Sequence, residues 1–352
     1  MPSVSAATQA VWTAPPALDA LRRWTDTWPT MLSTAQVEQA TRRGVEVAGN
    51  VLKRDVENRR LYLWREFFRR LYEMDKDIAS YQHQDFELID YDMRALPGVE
   101  KRLFRGPLPS PDQLASGDYI CLLGAAQFLG RFQRRHLQSL IAERLGAPVL
   151  NLAGGARGPQ DYLNPGFRRH ISRARVVIVQ VLSGRSTGDK EYPGGIVTLR
   201  KDTGETVQRL TLLKELARDN PSEYRRLVRS WNSRYLMHYR ALANMIKGRK
   251  VLVWMSQRAP ADWNIEKGEQ RSQFGPFPHL IDQGTVEALR SLFDEYIEVI
   301  TPAEAVTFTS RATGEPCPFM TPEGETRWSS NYYPSEAAHH ACFEQLAPLI
   351  QF

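Results

Sequence analysis

Cysteine is scarce in this chain of 352 residues, and Cys121, Cys317 and Cys342 show no paired spacing. That argues against a disulfide framework and a cysteine-type metal cluster, and makes a reducing, cytoplasmic setting the expected one. Long apolar runs are missing too. None approaches the ~20 residues that a membrane-spanning helix needs, so no transmembrane segment is expected. The first residues lack the basic start and apolar core of a secretion signal. Glycine-rich turns occur, but none ends in the Gly-Lys-Ser/Thr of a nucleoside triphosphatase and none matches Gly-x-Gly-x-x-Gly. Repeats and low-complexity tracts are absent.

What remains is ample material for a core. Hydrophobic residues make up 42% of the chain, and the length suits one large domain with an extension, or two domains. The formal net charge of +6 suits acidic partners such as nucleic acid, an anionic glycan or a membrane surface, without naming one.

The pattern changes along the chain. Residues 1–80 read as a helical N-terminal extension. In it Leu61, Trp64, Phe68 and Leu71 form an apolar stripe flanked by arginines, fit for packing on the main domain or for a membrane or partner surface. The mixture of arginines and aromatics at 59–72 also occurs in single-strand binders. No nucleic-acid module is recognisable, so nucleic acid is not an expected partner. Residues 81–117 read as a connecting segment, punctuated by Pro97-Gly98, Pro107, Pro109 and Pro111.

From residue 118 to 352 strands alternate with helices. Tyr119–Gly124 is an apolar strand ending in a glycine, followed by a helical stretch from Phe128 to Leu145. A second strand, 149–152, runs into the glycine loop 153–159 and a helix over 160–172. Arg175–Leu182 is the clearest strand. A hairpin is expected around Lys201–Glu205, then helices over 210–246 with a break at Asn220-Pro221. Strands at 251–255 and 296–300, a helix over 285–293 and a last helix over 335–350 complete the pattern. Alternation of this kind predicts a three-layer α/β sandwich with a mainly parallel sheet. Right-handed crossovers then bring the loops after Gly124, Leu152, Leu182 and Met255 to one edge, where such folds bind ligands.

The order of these loops resembles the SGNH (GDSL-like) hydrolase superfamily. The resemblance aligns Gly124-Ala125-Ala126 with the turn that carries the nucleophile and Asn151–Gly155 with the second block. Ser183–Ser186 falls on the third block, and Ser330–Ser335 on the last. It implies an SGNH/flavodoxin-like fold, but places Ala126 where the nucleophilic serine would stand and Tyr333 where the general-base histidine would stand. Alanine cannot attack a carbonyl, and a phenol of ordinary pKa is a poor base. A second set of phrases, including Leu123–Gln127, Val179–Ser186, Val253–Pro260 and Phe277–Asp282, resembles an uncharacterised bacterial family loosely associated with surface polysaccharides.

The candidate catalytic residues are therefore Ser183 and Ser256, which follow predicted strands, together with His279. Each serine could equally be a turn or cap hydroxyl. Candidate ligand-binding residues are Gln127, Asn151, Gly154, Gly155, Arg157, Gly184, Arg185 and Arg258. Arginine grips sulfate, phosphate or carboxylate with two parallel hydrogen bonds, and glycine amides add an anion-binding nest. The His340/Glu344 spacing is too weak for a metal ligand set, and no particular cofactor or oligomeric state follows from these residues. The expected function is modification of a glycan or other anionic polymer, by ester hydrolysis or group transfer, without the standard serine. The alternative is a catalytically silent protein that binds such a glycan or a protein partner.

Overall fold

The computed structural model describes residues 91–189, 192, 194–195, 197–199, 203–204, 206–262, 274–310, 313–320 and 326–351. The expected N-terminal helices and their Leu61/Trp64/Phe68/Leu71 stripe lie outside these residues. Contacts divide the chain into two units, Met1–Phe104 with Thr307–Ser329, and Arg105–Val306 with Ser330–Phe352.

The first unit contains an antiparallel hairpin of β1 (Met93–Leu96) and β2 (Val99–Arg105). The expected connecting segment is thus not wholly irregular. Its Pro97-Gly98 pair makes the hairpin turn, with Gly98 at φ 79, a conformation that glycine adopts without steric cost.

The second unit holds the predicted α/β architecture. Its sheet has the order β4 (Val149–Asn151), β3 (Ile120–Leu123), β5 (Val176–Gln180), β8 (Arg249–Ser256), β9 (Glu295–Ile300), and every pairing is parallel. Every residue of β3, β4 and β5 is buried, as covering on both faces requires. Helices α3 (Leu137–Leu145) and α8 (Glu336–Leu346) pack together on one face. On the other lie α1 (Pro111–Ser116), α4 (Pro165–Arg173), α6 (Pro221–Met245) and α7 (Gln283–Arg290). Numbered within the sheet this is the 2-1-3-4-5 order of flavodoxin-like folds, so the expected three-layer, SGNH/flavodoxin-like arrangement is the one found. Such a sheet has its switch point between β3 and β5.

Two expected helices are divided. The stretch 128–145 is a single turn, α2 (Ala126–Leu129), then α3 after an irregular segment. Gly130 ends α2 at φ 73, and a Cβ there would lie 2.4 Å from the Cβ of His136. The 160–172 helix opens as a 3-10 turn, Pro159–Leu163, and α4 begins anew at Pro165, where the Asn164 side chain accepts from the Gly166 N–H. The break at Asn220-Pro221 separates α5 (Arg209–Asp219) from α6, with Asn220 capping α6 through the Glu223 N–H. The hairpin pairs β6 (Val197–Leu199) with β7 (Thr206–Gln208). Among the described residues no helix is long and apolar enough to cross a membrane.

Candidate functional site at the carboxyl edge of the sheet

The turn after β3 is held by buried side chains from two neighbouring elements. Tyr162 donates its O–H to the Gly124 carbonyl at 2.6 Å and accepts from the Gly124 N–H at 2.9 Å. The Ala125 N–H donates to Oε1 of Gln180, at the end of β5, at 2.9 Å. A Cβ on Gly124 would stand 2.4 Å from that of Phe128, so only glycine lets α2 approach this closely. Ala126 opens α2 with a methyl side chain. Gln127 follows, 3% exposed. Its amide bonds Tyr332, while its Oε1 has no hydrogen-bond partner.

The end of β5 is fixed from α6. Tyr239 donates to the Gln180 carbonyl at 2.7 Å and accepts from the Leu182 N–H, and Tyr235 donates to the Leu182 carbonyl at 2.6 Å. The chain then turns at Ser183, whose Oγ lies 3.1 Å from Nδ1 of His279. Both residues are buried. The Gly184 N–H donates to the His279 carbonyl at 2.9 Å, binding the two loops to each other through their backbones as well. His279 is stacked on Tyr332, with centroids 6.1 Å apart, and meets the Phe277 ring edge-on.

Burial, and then the positive charges of Arg185, Arg258 and Lys214, hold the His279 ring well below the ordinary histidine value of 6.5. It is therefore neutral across the physiological range, with a lone pair to accept a proton. The Gly275 carbonyl is a further hydrogen-bond partner of the ring. In the tautomer protonated at Nε2, Nδ1 accepts from Ser183.

Ser256 is placed differently. Its Oγ donates to the Phe277 carbonyl at 2.6 Å and accepts from the Arg258 N–H, so its hydroxyl fixes a turn. Arg258 reaches the carbonyls of Pro278 and Ile281 at 2.7 and 2.8 Å and lies over the Trp254 ring. Arg157 packs across Gly154 and over the rings of Phe167 and Tyr162. The two arginines are 5% and 4% exposed, so neither presents its guanidinium at the open edge. Asn151, fully buried, donates to the Phe128 carbonyl and to Gln138 and accepts from the Ala153 N–H. Gly154 spends its N–H on the Gly124 carbonyl, while Gly155 beside it is half-buried.

Arg185 is the exception among the arginine candidates. It is half-buried beside His279 and Tyr332, both of which feel its charge, and no described residue accepts a hydrogen bond from its guanidinium. The structure thus brings together Gln127, Ser183, Gly184, Arg185 and His279, and sets Asn151, Arg157, Ser256 and Arg258 into the supporting framework.

One pair has no counterpart in the sequence reading. Arg131 donates to the hydroxyl of Tyr333 and lies 4.5 Å from the Phe132 centroid and 4.9 Å from that of Tyr333. The cavity beside Gln127, Ser256, Tyr332 and Tyr333 measures only about 20 Å³, room for one water molecule. A larger cleft, about 300 Å³, lies at the opposite end of the strands, between Gly106–Pro109 and Ala147–Val149.

Fold and site together define a doubly wound α/β protein with a Ser-His-Arg cluster at the carboxyl edge of its sheet. The chain belongs to the family described as Domain of unknown function (DUF6473), whose model matches residues 80–192 and 207–351. No curated protein matches it. Among solved structures it is similar to a carbohydrate esterase family 2 enzyme with a carbohydrate binding domain from Corynascus thermopiles (Myceliophthora fergusii). That match is 14% identical with a TM-score of 0.33, over 69% of this chain and 66% of that one. The lipase Lip_vut3 from a goat rumen metagenome is 14% identical with a TM-score of 0.36, over 65% and 96%. Phospholipase A1 from Streptomyces albidoflavus NA297 is 12% identical with a TM-score of 0.35, over 66% and 99%. Likeness at this level carries no argument about the reaction.

Proposed function

We propose that the chain modifies an anionic glycan by ester hydrolysis or acyl transfer, with Ser183 and His279 replacing the serine that position 126 lacks. The observation that carries this reading is the 3.1 Å contact between Ser183 Oγ and His279 Nδ1 at the carboxyl edge of the sheet. In this scheme neutral His279 takes the Ser183 proton as the oxygen attacks an ester carbonyl, and returns it to the departing alcohol. Water or an acceptor hydroxyl then releases the acyl group by the same route. Arg185 binds a carboxylate or sulfate of the glycan, a role its half-buried guanidinium beside His279 and Tyr332 suits. An anion there also offsets one of the charges that depress His279, so substrate binding strengthens the base.

The closed cavity favours a second reading. Tyr332 stacks on His279, and the neighbouring cavity between Gln127, Ser256 and Tyr332 has room for about one water, as a silent glycan- or protein-binding descendant would. Turnover of acetylated polygalacturonate separates the two. The enzyme reading expects acetate release by the wild type, a rate at the uncatalysed level for Ser183→Ala, and release well above that level for Ser256→Ala. Binding of the polymer without any acetate release would leave the silent reading in its place.

A further inference from the structure

The basic charge of the chain is not spread evenly. Helices α4 and α6 carry eight arginines and one carboxylate, Glu223, against a net +6 for all 352 residues. The rest of the chain is therefore close to neutral. The two helices lie side by side on one face of the sheet. Their inward positions are apolar or aromatic: Phe167 and Ile171 on α4, and Tyr224, Leu227, Val228, Trp231, Tyr235 and Tyr239 on α6. Outward stand Arg168, Arg169 and Arg173 on α4, and Arg226, Arg229, Arg234 and Arg240 on α6, all exposed.

Among the described residues this charge is paired only in part, and Asp189 faces Arg234 and Arg226. Arg226 engages Glu223, and Arg234 approaches the Gly188 carbonyl. Arg168, Arg169, Arg173 and Arg240 have no carboxylate partner among the described residues. Asp112, Asp161 and Glu287 flank the face on α1, on the Pro159–Leu163 turn and on α7, outside the two helices.

We propose that this face docks an extended acidic polysaccharide and leads it to the site at the sheet edge. The idea rests on the glycan reading above and adds the surface that holds the polymer. A helix of 25 residues is ~37 Å long, enough to follow several sugar units. Helix α4 starts just after Tyr162, which bonds Gly124 at that edge, and α6 passes the edge midway, where Tyr235 and Tyr239 bond the Leu182 and Gln180 carbonyls. The basic residues are all arginine, which matches carboxylate and sulfate with paired hydrogen bonds better than lysine does. No aromatic ring stands among the exposed positions of either helix, so bases would find nothing to stack on. Met237 is the one large exposed apolar side chain of α6, too little for insertion into a bilayer.

The test measures binding of the full chain to polygalacturonate and to dextran sulfate at low salt, with uncharged dextran as control. The combined variant Arg168→Gln, Arg169→Gln, Arg173→Gln, Arg240→Gln is compared with the wild type. All four positions are exposed, and a melting curve matching the wild type verifies the fold. The expected result is a loss of at least about tenfold in affinity, a shallower salt dependence, and no binding of neutral dextran. Ser183→Ala should bind as the wild type does, and the combined variant should still hydrolyse p-nitrophenyl acetate at the wild-type rate. Unchanged polymer binding by the combined variant would overturn the proposal while leaving the catalytic reading intact. Tighter binding to phosphatidylserine vesicles or to single-stranded DNA than to either polymer would overturn it as well. Polymer binding lost in the variant, but with no turnover by the wild type, would uphold the docking face and remove the catalytic reading.

Discussion

At Ser183 a hydroxyl of a type that ordinarily caps a turn faces an imidazole instead, and the guanidinium two residues on has no hydrogen-bond acceptor among the described residues. These two facts separate Ser183 from Ser256 and Arg185 from Arg157 and Arg258, which occupy equivalent positions after strands. A charge-assisted hydrogen bond contributes about 1.5–3 kcal/mol, so Arg185→Ala should weaken a sulfated or carboxylated ligand at least about tenfold. Arg185→Lys should recover part of the loss, because an ammonium group lacks the planar fork. Titration calorimetry of the three proteins checks this. An early-melting Arg185→Ala that binds as tightly as the wild type would make Arg185 a structural residue.

His279 adds a pH dependence. Catalysis needs its neutral form, and its pKa is lowered, so activity should fall only at a pH below the ordinary 6.5. Bound anion offsets the charge of Arg185. The acid limb of kcat should therefore lie at higher pH than that of kcat/KM, which paired pH profiles would show.

At the scale of elements, the turn after β3 depends on the α6 tyrosines only indirectly but on Tyr162 and Gln180 directly. Tyr162→Phe leaves the buried Gly124 N–H without its partner, while the carbonyl keeps the Gly154 N–H, and should cost about 1–3 kcal/mol. A lowered denaturant midpoint with an unchanged slope would register it. Much of the framework around this turn is legible in the sequence. The strand at 176–180 opens with the apolar run Val176–Val179, and Asn220-Pro221 breaks a helix by rules that need no tertiary information. The division at Gly130 is not legible in the same way. A lone glycine is tolerated in a helical pattern, and the reason for this one is its contact with His136. The hairpin at 93–105 hides within a proline-punctuated stretch.

The candidate residues are legible singly in the sequence, and the contacts between them are not. Ser183 and His279 are 96 positions apart, and Arg131 and Tyr333 are 202 apart, so no local spacing joins either pair. Arg157, Arg185 and Arg258 all follow strands beside small residues. Burial alone distinguishes them, and burial is decided by the fold.

At the scale of the whole molecule, three buried histidines bear on stability. His136, His279 and His339 are all lowered, in each case chiefly by burial, His339 to about 3. A folded-state pKa below the unfolded value means that the unfolded chain binds more protons as pH falls. Stability is then fully present above about 6.5 and declines below it. His339 is fully buried with neither ring nitrogen hydrogen-bonded. Relative to its own value at pH 7.5, His339→Phe should lose less stability by pH 5 than the wild type does. Chemical denaturation at the two pH values measures this, and equal losses would mean that His339 does not titrate between the states.

The account turns on one claim, that Ser183 activated by His279 is the nucleophile. The most direct measurement is mass spectrometry of the wild-type protein quenched during reaction with p-nitrophenyl acetate, with the acetylated peptide mapped to a residue. The prediction is an acetyl group on Ser183, absent in Ser183→Ala, strongly reduced in His279→Ala, and absent from Ser256. An adduct on another residue, no adduct at all, or a Ser183→Ala protein that hydrolyses the ester like the wild type would contradict it.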